Sequence, residues 1–128
     1  MAGGDFNLNT DRIDVVLLDN GYTYVQAHDA YADVSADEVA NGNGYLTGGK
    51  TISGQTLTDD TGNDYVEFHG TVAPWTASTI TARYAAFFKY NADPALAYLI
   101  AIYDFGADKS SDGGSFTITE NAEGLFHL

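Results

Sequence analysis

The chain has 128 residues, a net charge of −13 from 18 acidic against 5 basic side chains, and no cysteine, which makes it one domain able to bury about two thirds of its unfolded surface. The missing cysteines exclude thiol catalysis, disulfides and thiolate metal sites, and the scattered cations Arg12, Lys50, Arg83, Lys89 and Lys109 build no patch for nucleic acid. No apolar run approaches the ~20 residues of a membrane span, and the opening MAGGDFNLNTD lacks the regions of a secretory signal, so synthesis in a cytoplasm is expected.

Residues 1–10 are small and polar apart from Phe6 and Leu8, and read as an N-terminal arm with two apolar anchors. Residues 12–19, RIDVVLLD, make a first strand with Ile13, Val15 and Leu17 on one face and Asp14, Val16 and Leu18 on the other. A turn at Asp19-Asn20-Gly21 follows, then a short extended piece over 22–28. Residues 29–40 are the one helical candidate, with Ser35 and Glu38 spaced as a capping box. After the double turn signal NGNG at 41–44 come an extended run at 50–58, a polar loop at 59–64 and a strand at 65–69. A loop with Pro74 and Trp75 leads to the dominant feature, residues 79–105.

There Ile80, Ala82, Tyr84, Ala86, Phe88 and Tyr90 share one face at period two. Residues 95–103 are apolar on both faces and read as a central strand, joined to the first run by the turn Asn91-Ala92-Asp93-Pro94. A loop over 106–114, a short strand over 115–119 and the segment 124–128 close the chain. About seven short strands with Gly-rich turns predict an all-β fold, an antiparallel β-sandwich or barrel of jelly-roll or Ig-like type, with one short helical segment and a single domain over 11–128.

Residues 44–51, GYLTGGKT, fit the phosphate-loop pattern G-x-x-x-x-G-K-T. That chemistry needs a helix after the loop, so that backbone N–H groups face the phosphates, whereas TISGQTLT carries no helical stripe; the stretch is read as a glycine-rich connection. Asp59, Asp60, Asn63 and Asp64, and again Asp108 and Asp112, cluster without the alternating oxygen ligands of a calcium loop. His28, His69 and His127 lack metal-ligand spacing, no Ser lies in a G-x-S-x-G elbow, and Glu67, Glu120 and Glu123 have no context that would raise a pKa. No catalytic, cofactor or metal residue is therefore assigned, and no enzyme activity is expected. Among the aromatics Trp75, placed after Pro74, is the contact candidate alongside the arm residues Phe6 and Leu8.

The stretches TGNDYVEFHGTVAPWTASTITARYAAFFKY, ALAYLIAIYDFG and SSDGGSFTITENAEGLFHL, together with RIDVVLLDNGYTY and GYLTGGKTISGQTL, resemble a family of small structural proteins of tailed bacteriophages. The likeness covers nearly the whole chain but is one of strands and turns, and ENAEG departs from it where an aromatic is expected near Glu120. The resemblance implies a virion protein on the capsid exterior, a decoration or cement protein whose partner is the major capsid protein of the same phage. It also implies a homo-oligomer, a trimer being the common form, with no nucleic-acid or membrane partner. The alternative is a neck, tail or head-fibre component, or a glycan-binding adhesin that uses the loops around Trp75 and Asp108.

Overall fold

A computed structural model of the protein describes residues 12–23, 29–60, 62, 65–118 and 126–127. They form nine strands: β1 (Ile13–Leu18), β2 (Lys50–Thr51), β3 (Ser53–Asp60), β4 (Tyr65–Thr71), β5 (Trp75–Ser78), β6 (Thr81–Lys89), β7 (Leu99–Ser110), β8 (Gly114–Phe116) and β9 (Phe126–His127). A single-turn helix, α1 (Tyr31–Val34), and two 3-10 turns, Ser35–Asp37 and Pro94–Leu96, complete the elements. The sheets are antiparallel, with orders β2-β1-β6-β7, β3-β4-β9 and β5-β8.

The four-stranded sheet is buried on both faces at its centre, where all six residues of β1 are buried and Ala85, Ala86, Phe87 and Phe88 of β6 with them. On one face Ile13, Val15, Leu17, Ile80, Ala82, Ala85 and Phe87 meet Phe68 of β4, Trp75 of β5 and Phe116 of β8. On the other, Val16, Leu18, Ala86, Phe88 and Leu99 are covered by Tyr22, Val34 of α1 and Ala97. The architecture is an all-β sandwich with one helical turn laid on its outer face, the layering that buries a sheet apolar on both sides.

Several elements differ from the sequence reading, each for a local reason. The pairing of β6 with β7 shifts between Ala82 and Tyr84, so that residues 105–108 stand opposite Arg83. Such a bulge breaks the alternation. Ile80 and Ala82 accordingly join the core of Ala85 and Phe87, while Ala86 and Phe88 face the opposite way. The second run starts later than 95, because Asp93 accepts the Ala95 N–H and Pro94 opens a 3-10 turn, and as β7 it continues through the expected loop to Ser110. Among the described strands β7 is the outermost of its sheet rather than central. The bulge is pinned by Asp104, which accepts from Arg83 Nε and the Gly106 N–H, both at 2.8 Å, and by Asn20 donating to Asp108 at 3.0 Å. The Arg83 guanidinium and that N–H hold the Asp104 carboxyl below its usual range. The expected arm, residues 1–10, and most of the extended piece at 22–28 lie outside the described residues.

Candidate functional site

Strand β1 sets a problem that the glycine-rich segment solves. β2 pairs with β1 only at Asp14 and Val15. Beyond Val15 the edge of a buried strand would leave its N–H and C=O groups without partners, at a cost of ~1–3 kcal/mol each. Residues 37–49 cover that edge: the Val39 N–H donates to Leu17 O at 2.9 Å, the Asp19 N–H to Asp37 O at 2.9 Å, and the Leu17 N–H to the Tyr45 hydroxyl at 3.1 Å. Gly49 passes so close that a Cβ there would stand 1.8 Å from Val15 O, and its φ is +72°. Only glycine fits both requirements.

Glu38 ties this cover together. Its carboxylate accepts from the Tyr31 hydroxyl, from the Tyr45 hydroxyl at 2.5 Å and from the Gly48 N–H at 2.9 Å. Tyr45 is fully buried. Burial raises the pKa of both phenols, and the hydrogen bond and charge of Glu38 raise them further, so both remain donors. The capping-box reading of Ser35 and Glu38 is thus corrected. The carboxylate that reaches back to the start of the helical turn is Asp33, which accepts the N–H groups of Asp29 and Ala30 at 3.0 and 3.1 Å.

The phosphate-loop pattern is accounted for by the same geometry. Lys50 and Thr51 form a strand where nucleotide binding needs a helix, and the Gly48 N–H is held by an internal carboxylate. Lys50 Nζ stands 5.7 Å from the centroid of the Trp75 ring. With both oxygens engaged, Glu38 acts as a clamp.

The loop that results is held at every turn. Gly42 and Tyr45 exchange backbone hydrogen bonds at 2.8 and 3.0 Å, the Thr47 N–H donates to Asn41 Oδ1 at 3.1 Å, and the Gly49 N–H to Leu46 O at 3.0 Å. The Thr79 N–H donates to Asn43 O at 2.9 Å, which fastens the loop to the end of β5. Within it Leu46 is 71% exposed, against 42% for Tyr90, 47% for Leu96 and 45% for Tyr103. Sequence reading gave Leu46 no role, because a leucine among glycines looks like part of a turn.

Trp75 is not the surface contact expected of it. It begins β5 and is 2% exposed, with its ring 6.0 Å from Tyr45 and 6.1 Å from Phe116 by centroids. β5 reads buried, exposed, exposed, buried, since an irregularity with Ala77 at φ +47° turns both Trp75 and Ser78 inward. Ser78 Oγ is 2.8 Å from both Trp75 O and Ser111 Oγ and 3.2 Å from Gly114 O, which joins β5 to the turn before β8. Phe6 and Leu8 lie outside the described residues. His69 Nε2 is 3.0 Å from Glu67 Oε1, and among the described residues no three His, Asp or Glu side chains converge on one point.

Comparison with family models, with curated proteins and with solved structures finds no match to this chain.

Proposed function

We propose that the protein is a structural component of a bacteriophage virion that decorates the outer surface of the capsid and stabilises the head. The reading is supported first by the sequence resemblance described above, and its structural support is one observation: a sandwich that carries an apolar side chain, Leu46, on a loop fixed by internal hydrogen bonds. A preformed contact of this kind loses little entropy on binding, and decoration multiplies modest contacts by presenting many copies to a repeating shell. The net charge of −13 suits the outside of a particle better than contact with packaged DNA. The major capsid protein is the partner in this reading, and the arm with Phe6 and Leu8 supplies a second, apolar contact with the shell. The adhesin alternative loses its aromatic contact, since Trp75 is buried.

The test is to add purified protein to heads assembled without it, sediment the particles and challenge them with heat or chelator. Decoration predicts saturable co-sedimentation and a more resistant shell. Absence of binding overturns the reading, and unchanged binding after deletion of residues 1–10 removes the arm from it.

A further inference from the structure

We propose that Asn43 is a self-modifying position: in the folded protein its side-chain amide is lost through attack by the Gly44 backbone nitrogen, leaving aspartate or isoaspartate, while the fold holds the other Asn-Gly pairs back.

The sequence contains three Asn-Gly pairs, Asn20-Gly21, Asn41-Gly42 and Asn43-Gly44, and one Asp-Gly pair, Asp112-Gly113. Such pairs react because glycine puts no side chain in the way of its own nitrogen. All eight residues are exposed, so access to water does not separate them. Their hydrogen bonds do. The Gly21 N–H donates to Asp19 Oδ1 at 2.9 Å, and Asn20 Nδ2 is held by Asp108 Oδ2 at 3.0 Å. The Gly42 N–H donates to Tyr45 O at 2.8 Å, and Asn41 Oδ1 accepts the Thr47 N–H at 3.1 Å. The Gly113 N–H donates to Thr79 Oγ1 at 3.2 Å. Among the described residues the Gly44 N–H and the Asn43 side chain have no hydrogen-bond partner, so this pair alone reacts without first breaking one.

The fold also explains why a labile pair stands here. Gly44 has φ +90°, and a Cβ on it would meet Ser78 Cβ at 2.7 Å, so glycine is required by both conformation and packing. Asn43 has φ +53°, a conformation that asparagine tolerates better than most residues. The turn closed by Gly42 and Tyr45 thus selects the dipeptide that reacts.

The step balances with water alone. The Gly44 nitrogen bonds to Asn43 Cγ and gives its proton to solvent, and the side-chain nitrogen leaves as ammonia, which closes a cyclic imide. Water then opens the ring. Cleavage of the new bond to Cγ gives aspartate, and cleavage of the original peptide bond gives isoaspartate, with the chain running through Cγ. Either product adds one negative charge. In isoaspartate the carbonyl that accepts the Thr79 N–H at 2.9 Å becomes part of a free carboxylate on a lengthened chain. The loop is then unfastened from the end of β5, and the cover of β1 loosens.

The test incubates folded protein, and protein unfolded in guanidinium chloride, at mildly alkaline pH and follows each pair by peptide mass spectrometry. In the folded protein Asn43 is expected to react about tenfold or more faster than Asn20 and Asn41, and unfolding is expected to bring the three rates together. Asn43→Gly, which suits the positive φ, is expected to remove the main product and to keep the wild-type urea midpoint. Folded protein in which Asn20 or Asn41 keeps pace with Asn43, or in which Asn43 stays intact while reacting when unfolded, overturns the assignment. The isoaspartate form, separated from aged protein, is expected to have a lower urea midpoint than Asn43→Asp, which carries the same charge on an unaltered backbone. Equal midpoints overturn the loosening of the loop.

Discussion

Replacing Tyr45 with Phe tests the reasoning about the covered edge of β1. The substitution keeps the ring in the core and removes one oxygen, which donates to Glu38 at 2.5 Å and accepts from the Leu17 N–H at 3.1 Å. Loss of a hydrogen bond to a charged acceptor costs about 1.5–3 kcal/mol, toward the lower end here because Glu38 is only partly buried and can recruit water. The Leu17 N–H, in a fully buried strand, is left without its acceptor, which costs about 1–3 kcal/mol. Together the loss is about 2.5–4.5 kcal/mol, read as a fall of about 1–2 M in the urea midpoint at unchanged m. Tyr31→Phe, which loses one bond at a partly exposed site, should cost about 1 kcal/mol.

The pH dependence adds a second readout. Burial and then Glu38 raise the folded pKa of Tyr45 above the unfolded value near 10. Its stabilising contribution is therefore full below about pH 10 and declines as pH rises above that value, at no more than about 1.4 kcal/mol per unit. Wild type should lose stability faster than Tyr45→Phe between about pH 10 and 12, and the two curves should converge. A loss under about 0.5 kcal/mol at neutral pH, or parallel alkaline curves, would refute the role given to this hydroxyl.

Other outcomes follow from the same contacts. Gly49→Ala places a Cβ 1.8 Å from Val15 O and should cost more than about 3 kcal/mol or prevent folding, whereas Gly113→Ala, with φ +70° and open space around it, should cost only about 1 kcal/mol by denaturation. Ser78→Ala removes a buried hydroxyl near three oxygens and should lower stability by about 1–3 kcal/mol in the same assay. Arg12→Ala strips the two-pronged contact, 3.1 Å at each prong, from the buried Asp14 carboxylate and leaves it the Thr51 hydroxyl; with Arg12 half exposed, about 1–2 kcal/mol is expected. Trp75, the sole tryptophan, should fluoresce to the blue of the unfolded chain and resist iodide quenching; ready quenching would contradict its burial.

The all-β class, the presence of β1 and β6 and the turn around Pro94 were legible because each rests on a short-range rule, an apolar run, β-branched and aromatic content or a fixed φ, whereas the single face read across residues 80–90 fails at the bulge. What the sequence concealed came from bulges and from contacts between distant segments. An irregularity at Ala77 puts Trp75 and Ser78 on the same side, so the pattern around Pro74 imitates a loop. The bulge at residues 105–108 likewise hid how far β7 runs. Glu38 matches a capping box by spacing, and nothing local distinguishes that role from a carboxylate that gathers Tyr31, Tyr45 and Gly48 in space. The setting of Leu46 was hidden for a related reason: the loop that carries it is fixed by hydrogen bonds with Glu38, Asn41 and Thr79, and these leave no local mark in the sequence.

A cryo-electron microscopy map of heads mixed with the purified protein would show the contact itself. Decoration predicts copies at regular outer-surface sites, each seated with the Leu46 loop against a capsid subunit. Bare shells would overturn decoration, and copies seated through another part of the sandwich would remove the Leu46 loop from it.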